Sequence, residues 1–255
     1  MRKVKRRNEN PSKFRQYTLW FKPTRLMTFQ QYVDHFYRLK PKVREKLRSL
    51  SAEKATAERF AFMTRNYKKI YGPESNVVDH AGLVDGLCKL NLPVNSHVVS
   101  FGAGSMHHEC FLIKEFPQIF SITGVEPLDG MRRLTGKTAS KILGKKNSKR
   151  IRNVAGFFEN SPKISAESAD AIITNEAFHH VREPETALKN MASKLKPRGG
   201  MVIVYRPNYK TNPPNPDQLA SMFKKIGLQV VLNKSLRKDA AERNNNLHLI
   251  VAKKS

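Results

Sequence analysis

Cysteine is almost absent: Cys88 and Cys110 are the only two among 255 residues. Two isolated thiols make neither a disulfide framework nor a zinc pattern, so a reducing compartment is expected, with both thiols acting as core packing. Long apolar runs are missing as well. None approaches the roughly 20 residues that span a bilayer, so the chain reads as soluble, with no membrane partner. Acids are scarce, with 21 Asp and Glu against 47 Lys and Arg and a formal net charge of +26. Ordinary surfaces mix both signs, and an excess of this size points to a polyanion. Nucleic acid, RNA first, is the expected partner, because neutralising phosphates releases counterions and gives sequence-independent affinity. The plainer alternative is a basic surface that serves solubility or an RNA-rich assembly.

The charge is uneven. Between Met1 and Ser49, fifteen Lys and Arg face only Glu9, Asp34 and Glu45. Residues 1–27 are too polar and basic to pack, and read as a flexible arm. Lys3–Arg7 has the composition of a nuclear signal, and the arm also has some features of an Arg-rich mitochondrial presequence; otherwise the cytoplasm is expected. Residues 28–75 form a helical extension, with Phe29, Tyr32, Val33 and Phe36 at helical spacing and a second amphipathic stretch over 51–70.

From residue 76 onward the pattern is α/β alternation. Helices are expected over 77–90, 108–116, 130–143, 184–195 and 216–226, and strands over 97–101, 119–125, 152–158, 171–174, 200–205, 228–233 and 246–252. Strands separated by helices imply a largely parallel sheet covered on both faces. The last two strands lack a helix-length gap and should pair antiparallel.

The informative segment is His97-Val-Val-Ser-Phe-Gly-Ala-Gly-Ser-Met-His107. An apolar strand runs into Gly-Ala-Gly and then into a helix. Gly102 and Gly104 allow a sharp turn and a close backbone approach to a ligand, and the helix N-terminus offers free N–H groups. Glu126 closes the next strand, twenty-two residues beyond Gly104. An acid there can accept hydrogen bonds from both ribose hydroxyls of an adenosyl cofactor.

Four stretches in order, VVSFGAGS, GVEPLDGM, ADAIITNEAFHHV and EPETALKNMASKLKPRGGMVIVY, make residues 76–255 resemble the class I S-adenosylmethionine-dependent methyltransferases, of methyltransferase type 11-like character. The resemblance implies a Rossmann-like α/β fold: a seven-stranded, mostly parallel sheet of order 3-2-1-4-5-7-6 whose last strand is antiparallel, behind the basic helical N-terminal extension. It implies S-adenosyl-L-methionine as cofactor, held by Ser100, Gly102, Ala103, Gly104, Glu126 and Pro127. Phe157, Phe158 and Asn175 complete that set, with Asn175 and Glu176 lining the pocket at the methyl group. Two positions depart from the family pattern. Ser100 stands where an acid is usual and Met106 where a third glycine is usual, so Ser100 cannot neutralise the cofactor's amino group and Met106 narrows or shifts the loop.

Other features are read more plainly. His179 and His180 are expected to pack, with no third ligand spaced to join them in a metal site. His107 and His108 are better placed to touch a ligand. Asn212-Pro-Pro-Asn215 resembles an amino-methyltransferase signature but follows the fifth strand, and reads as a proline-rich loop. Residues 136–152 carry seven Lys and Arg and no acid. Together with the arm, this segment is expected to flank the cofactor cleft and hold RNA through Arg6, Arg7, Lys13, Arg15, Trp20, Lys145, Lys146, Lys149 and Arg150, combining phosphate contact with stacking. Three functions follow: an RNA methyltransferase, a small-molecule or protein methyltransferase, or a catalytically degenerate methyltransferase-like subunit of a ribonucleoprotein.

Overall fold

The computed structural model describes residues 77–209, 211–236 and 247–254. The arm expected over 1–27 and the helices expected over 28–75 lie outside them, as do Arg6, Arg7, Lys13, Arg15 and Trp20. The described chain runs α1 (Val77–Leu90), β1 (Ser96–Phe101), α2 (His107–Glu115), β2 (Ile119–Val125), α3 (Asp129–Asn147) and β3 (Ile151–Val154). It continues through β4 (Ala169–Asn175), α4 (Pro184–Lys194), β5 (Leu195–Tyr205), α5 (Pro216–Lys225), β6 (Leu228–Ser235) and β7 (His248–Lys254). The seven strands form one sheet of order β3-β2-β1-β4-β5-β7-β6. Pairs among β1 to β5 are parallel, and β7 is antiparallel to both β5 and β6.

Alternation along the buried strands divides the core in two. Val98 of β1, Val202 and Val204 of β5, and Leu249 and Val251 of β7 face Leu83 and Leu87 of α1 and Leu112 of α2. Their neighbours Val99, Phe101, Met201, Ile203 and Ile250 face Leu188 and Met191 of α4 and Leu219 and Phe223 of α5. Leu83, Leu87 and Leu90 recur every three to four residues, which gives α1 its buried stripe. Among the described residues, no helix is long and apolar enough to cross a membrane.

Three expectations need correcting. The third strand ends at Val154 rather than reaching Phe158: the chain bends at Phe158 and Glu159, with the Phe157 amide donating to the Asn160 carbonyl at 2.8 Å. β5 begins at Leu195, so the Lys-Pro-Arg-Gly stretch is an irregularity inside a strand rather than a turn before one: the β4–β5 register shifts there and Arg198 takes φ 63°. Cys88 is exposed, and only Cys110 is core, where burial pushes its thiol up to about 12.

Candidate cofactor site

The loop between β1 and α2 lies at the carboxyl ends of the parallel strands, where open α/β sheets bind ligands. Gly102 and Gly104 have φ of 67° and 53°, so the left-handed turn anticipated at both is present. A Cβ on Gly102 would meet Ala177 Cβ at 2.3 Å and the Phe158 ring at 3.2 Å. A Cβ on Gly104 would meet nothing within 4 Å: the backbone there faces open space. The Gly102 amide donates to the Val125 carbonyl (2.9 Å), which ties the loop to the end of β2.

Glu126 closes the loop from β2. Its carboxylate accepts from the Gly104 amide and the Leu128 amide, both at 2.9 Å, while Arg132 donates to the Glu126 and Pro127 carbonyls at 2.7 Å. Burial pushes the Glu126 carboxyl above its ordinary value, against the pull of those two amides and of Arg132. Each carboxylate oxygen retains acceptor capacity beyond its one amide.

Three further residues build this site without having been singled out in the sequence. Asn153 at the end of β3 donates to the Gly104 carbonyl (2.8 Å) and to Thr135 Oγ1 (3.0 Å). Gly124 lies under the loop, where a Cβ would approach Ala103 Cβ and Met106 Sδ at 2.8 Å. Glu109, in the first turn of α2, accepts from Ser100 Oγ at 2.6 Å, with both residues buried. Only Asn153 and Gly124 carried any prior signal, as a polar residue ending a strand and a glycine interrupting an apolar one.

Met106 takes φ 61°, the conformation a glycine would favour, and its side chain is fully buried in the core beneath α2. The side chain therefore points into the core, and the thioether fills space that Gly124 leaves open. Ser100 likewise does not leave its position without a carboxylate nearby, since Glu109 reaches it from α2.

After the third strand the two phenylalanines divide. Phe158 packs against Phe101 and Phe178, at ring-centroid distances of 5.6 and 6.0 Å, whereas Phe157 is 61 % exposed and presents its ring outward. At the end of β4, Asn175 Oδ1 is buried without a hydrogen-bond partner, as are Thr174 Oγ1, Ser105 Oγ and Asn153 Oδ1. These orphaned polar atoms, an open glycine and a paired carboxylate fit a polar adenosyl cofactor. Glu176 takes φ 51° and pairs with Arg206 beyond β5, so that arginine is committed to the pocket wall.

The histidines pack. His179 packs against His180 and Tyr209 in tilted ring contacts, each at 4.3 Å between centroids, and its carbonyl accepts from Thr211 Oγ1. Burial pushes His179 well below its ordinary value and lowers His180 to about 4. His108 stacks on His80 of α1, and burial lowers it to about 3. Asn215 caps α5 in a full capping box with Gln218, which gives Asn212-Pro-Pro-Asn215 a structural role.

The basic segment is not beside the loop along its whole length. α3 leaves the cofactor end near Asp129, breaks at Gly144 (φ 76°) and delivers Lys145, Lys146, Lys149 and Arg150 to the opposite end of the sheet. Arg150 donates to the carbonyls of Ile119 and Phe120 at the start of β2, about 20 Å of strand away from Glu126. Those four residues therefore do not flank the cleft. Lys137, Lys141 and Lys145 are exposed at four-residue spacing, opposite buried Met131, Thr135 and Ala139, and form a stripe linking the two ends.

The family described as methyltransferase domain matches residues 79–233. None of the curated proteins compared with the chain matches it in sequence. A S-adenosylmethionine-dependent methyltransferase from Aquifex aeolicus has the same fold at TM-score 0.59 and 15 % identity, over 75 % of this chain and 98 % of that one. So does the 1,6-didemethyltoxoflavin-N1-methyltransferase of Burkholderia thailandensis, with bound 1,6-didemethyltoxoflavin and S-adenosylhomocysteine, at TM-score 0.60 and 15 % identity over 81 % and 92 %. The complex of the Haloferax volcanii Trm112 methyltransferase activator with a methyltransferase gives TM-score 0.54 and 18 % identity over 68 % and 88 %.

Proposed function

Because this chain belongs to the methyltransferase-domain family, as a class I enzyme that uses S-adenosylmethionine, we propose that the acceptor of its methyl group is RNA. The observation that carries this reading is the placement of positive charge. Residues 1–76 hold twenty Lys and Arg against six acids, a net of +14, which leaves +12 of the total +26 on residues 77–255. The first segment joins the fold at α1, whose His80 lies 3.4 Å from His108 at the start of α2, directly after the glycine loop. The second contribution includes the α3 stripe. RNA whose phosphates are neutralised by these lysines and arginines can offer a base or ribose to the pocket at Asn175 and Glu176.

The cofactor supplies an electrophilic methyl group on a sulfonium. The protein's part is chiefly positioning, since alignment of donor and acceptor accounts for most of the rate. The Glu126 carboxylate is placed to receive the ribose hydroxyls, exposed Phe157 to cover the adenine, and Asn175 to offer its unpaired Oδ1 to a polar group in the pocket. An acceptor that must lose a proton needs a base, and Glu176, oriented by Arg206, is the carboxylate nearest that role.

A second reading, methyl transfer to a small molecule, is favoured by the Burkholderia neighbour, which holds 1,6-didemethyltoxoflavin in the same fold. The Haloferax complex adds a protein activator as a kind of partner to test alongside RNA. The deciding experiment is transfer of labelled methyl from S-adenosylmethionine to total RNA, protein and metabolite pools, together with RNA affinity as a function of salt. RNA should take the label, and deleting residues 1–25 should weaken RNA binding and flatten its salt dependence. Label confined to metabolites, or unchanged RNA affinity after the deletion, contradicts the proposal.

A further inference from the structure

We propose that Glu109 is the countercharge for the amino-acid end of the cofactor, acting from α2 through the Ser100 hydroxyl. The inference rests on the cofactor, not on the acceptor proposed above.

Glu109 is a buried carboxylate that the scheme above leaves unused. It is 3 % exposed, and besides its own backbone amide its hydrogen-bond donor is Ser100 Oγ at 2.6 Å, with no cation among the described residues paired to it. Ser100 belongs to β1 and Glu109 to the first turn of α2, so the pair spans the two ends of the glycine loop. Glu126 faces Glu109 from beyond β2 and Cys110 lies beside it, so the carboxylate's charged neighbour has the same sign. Burial pushes Glu109 up to about 7, opposed by the hydrogen bonds from Ser100 and its own backbone amide, with Glu126 adding to the rise. A buried carboxylate beside another carboxylate is costly unless a cation visits it.

The cofactor brings such a cation. With Glu126 assigned to the ribose, the adenosine half would be held from the β2 side of the loop. The other half, which carries an ammonium group, would then be met from the β1 side, where Ser100 lies. Among the described residues at the loop, Glu126 is assigned to the ribose and Glu176 is paired with Arg206, whereas Glu109 has no cationic partner in an ion pair. Ser100 holds it in place and transmits its charge to the loop, so Glu109 is a positioning residue and need not touch the ligand.

The test is calorimetric binding of two ligands to the full chain. S-adenosylhomocysteine keeps the amino-acid end, and 5′-methylthioadenosine lacks it. E109Q keeps the hydrogen bond to Ser100 but not the charge. It should weaken S-adenosylhomocysteine binding about ten- to a hundredfold, the scale of one contact to a charged group, and leave methylthioadenosine unchanged. S100D/E109Q, which moves the carboxylate to the strand, should restore most of the loss. Equal losses on both ligands, or none on either, would overturn the inference. Should E109Q not fold, the wild type still decides: the preference for S-adenosylhomocysteine over methylthioadenosine should grow between pH 6 and 8 as Glu109 ionises, and a flat ratio counts against it. Lack of S-adenosylhomocysteine binding by the wild type overturns both this inference and the cofactor assignment, whereas failure to methylate RNA touches the acceptor alone.

Discussion

A side chain on Gly102 meets Ala177 at 2.3 Å, whereas one on Gly104 meets open space. Both glycines have positive φ, so alanine at either pays about 1–2 kcal/mol for the left-handed conformation. G104A should therefore fold with only that loss, measured by denaturant unfolding, and still lose S-adenosylhomocysteine affinity because its methyl group occupies the ligand's approach. G102A carries the clash as well and should lose more stability. The glycines and Glu126 could be read from the sequence because strand, turn and acid follow one another at a fixed spacing. The pairing of Ser100 with Glu109 could not, because it depends on how α2 folds back over β1. Met106 shows a related limit: a residue expected to narrow the loop adopts the glycine conformation and points into the core. Glu109 also has a signature in stability. Its carboxyl is protonated in the folded chain up to about pH 7, while in the unfolded chain it ionises near its ordinary value of 4.5. Between those limits the folded state binds more protons, so stability falls as pH rises, by on the order of 3 kcal/mol at most. Thermal unfolding of E109Q at pH 5 and pH 7.5 should lack that decline.

At the level of elements, helices and strands from α1 to β7 followed from apolar periodicity and from glycine and proline punctuation, and most ends fall within two residues of expectation. The misses have local causes. β3 ends early where the chain bends at Phe158 and Glu159, and the Lys196–Gly199 irregularity sits inside β5 because β4 pairs on both sides of it. The helix expected to end at Leu143 does break there, at Gly144, but resumes to Asn147. α5 is set by its cap. N215A removes the side-chain acceptor for the Gln218 amide and should cost about 1 kcal/mol while leaving S-adenosylhomocysteine affinity unchanged, which unfolding and calorimetry would show. The α3 stripe makes a different prediction. Reversing Lys137, Lys141 and Lys145 to Glu should weaken RNA binding and reduce its salt slope, read from binding isotherms at several salt concentrations, with cofactor affinity unaltered.

On the scale of the whole molecule, the cofactor site and the positive charge are arranged by different rules. The sheet, apolar on both faces, fixes where the loop, Glu126 and Asn175 converge; that arrangement follows from strand order and so was legible once the order was. The positive charge is distributed differently. It was visible as a number, but the sequence could not place the end of the 136–152 segment, because a helix of nineteen residues carries its last turn to the far end of a sheet only about 20 Å tall. The central claim remains the cofactor site. Calorimetric titration of the full chain with S-adenosylhomocysteine tests it most directly. The account predicts saturable one-to-one binding in the micromolar range or tighter, abolished by E126A; no heat of binding at high micromolar ligand, or equal binding by E126A, would contradict it.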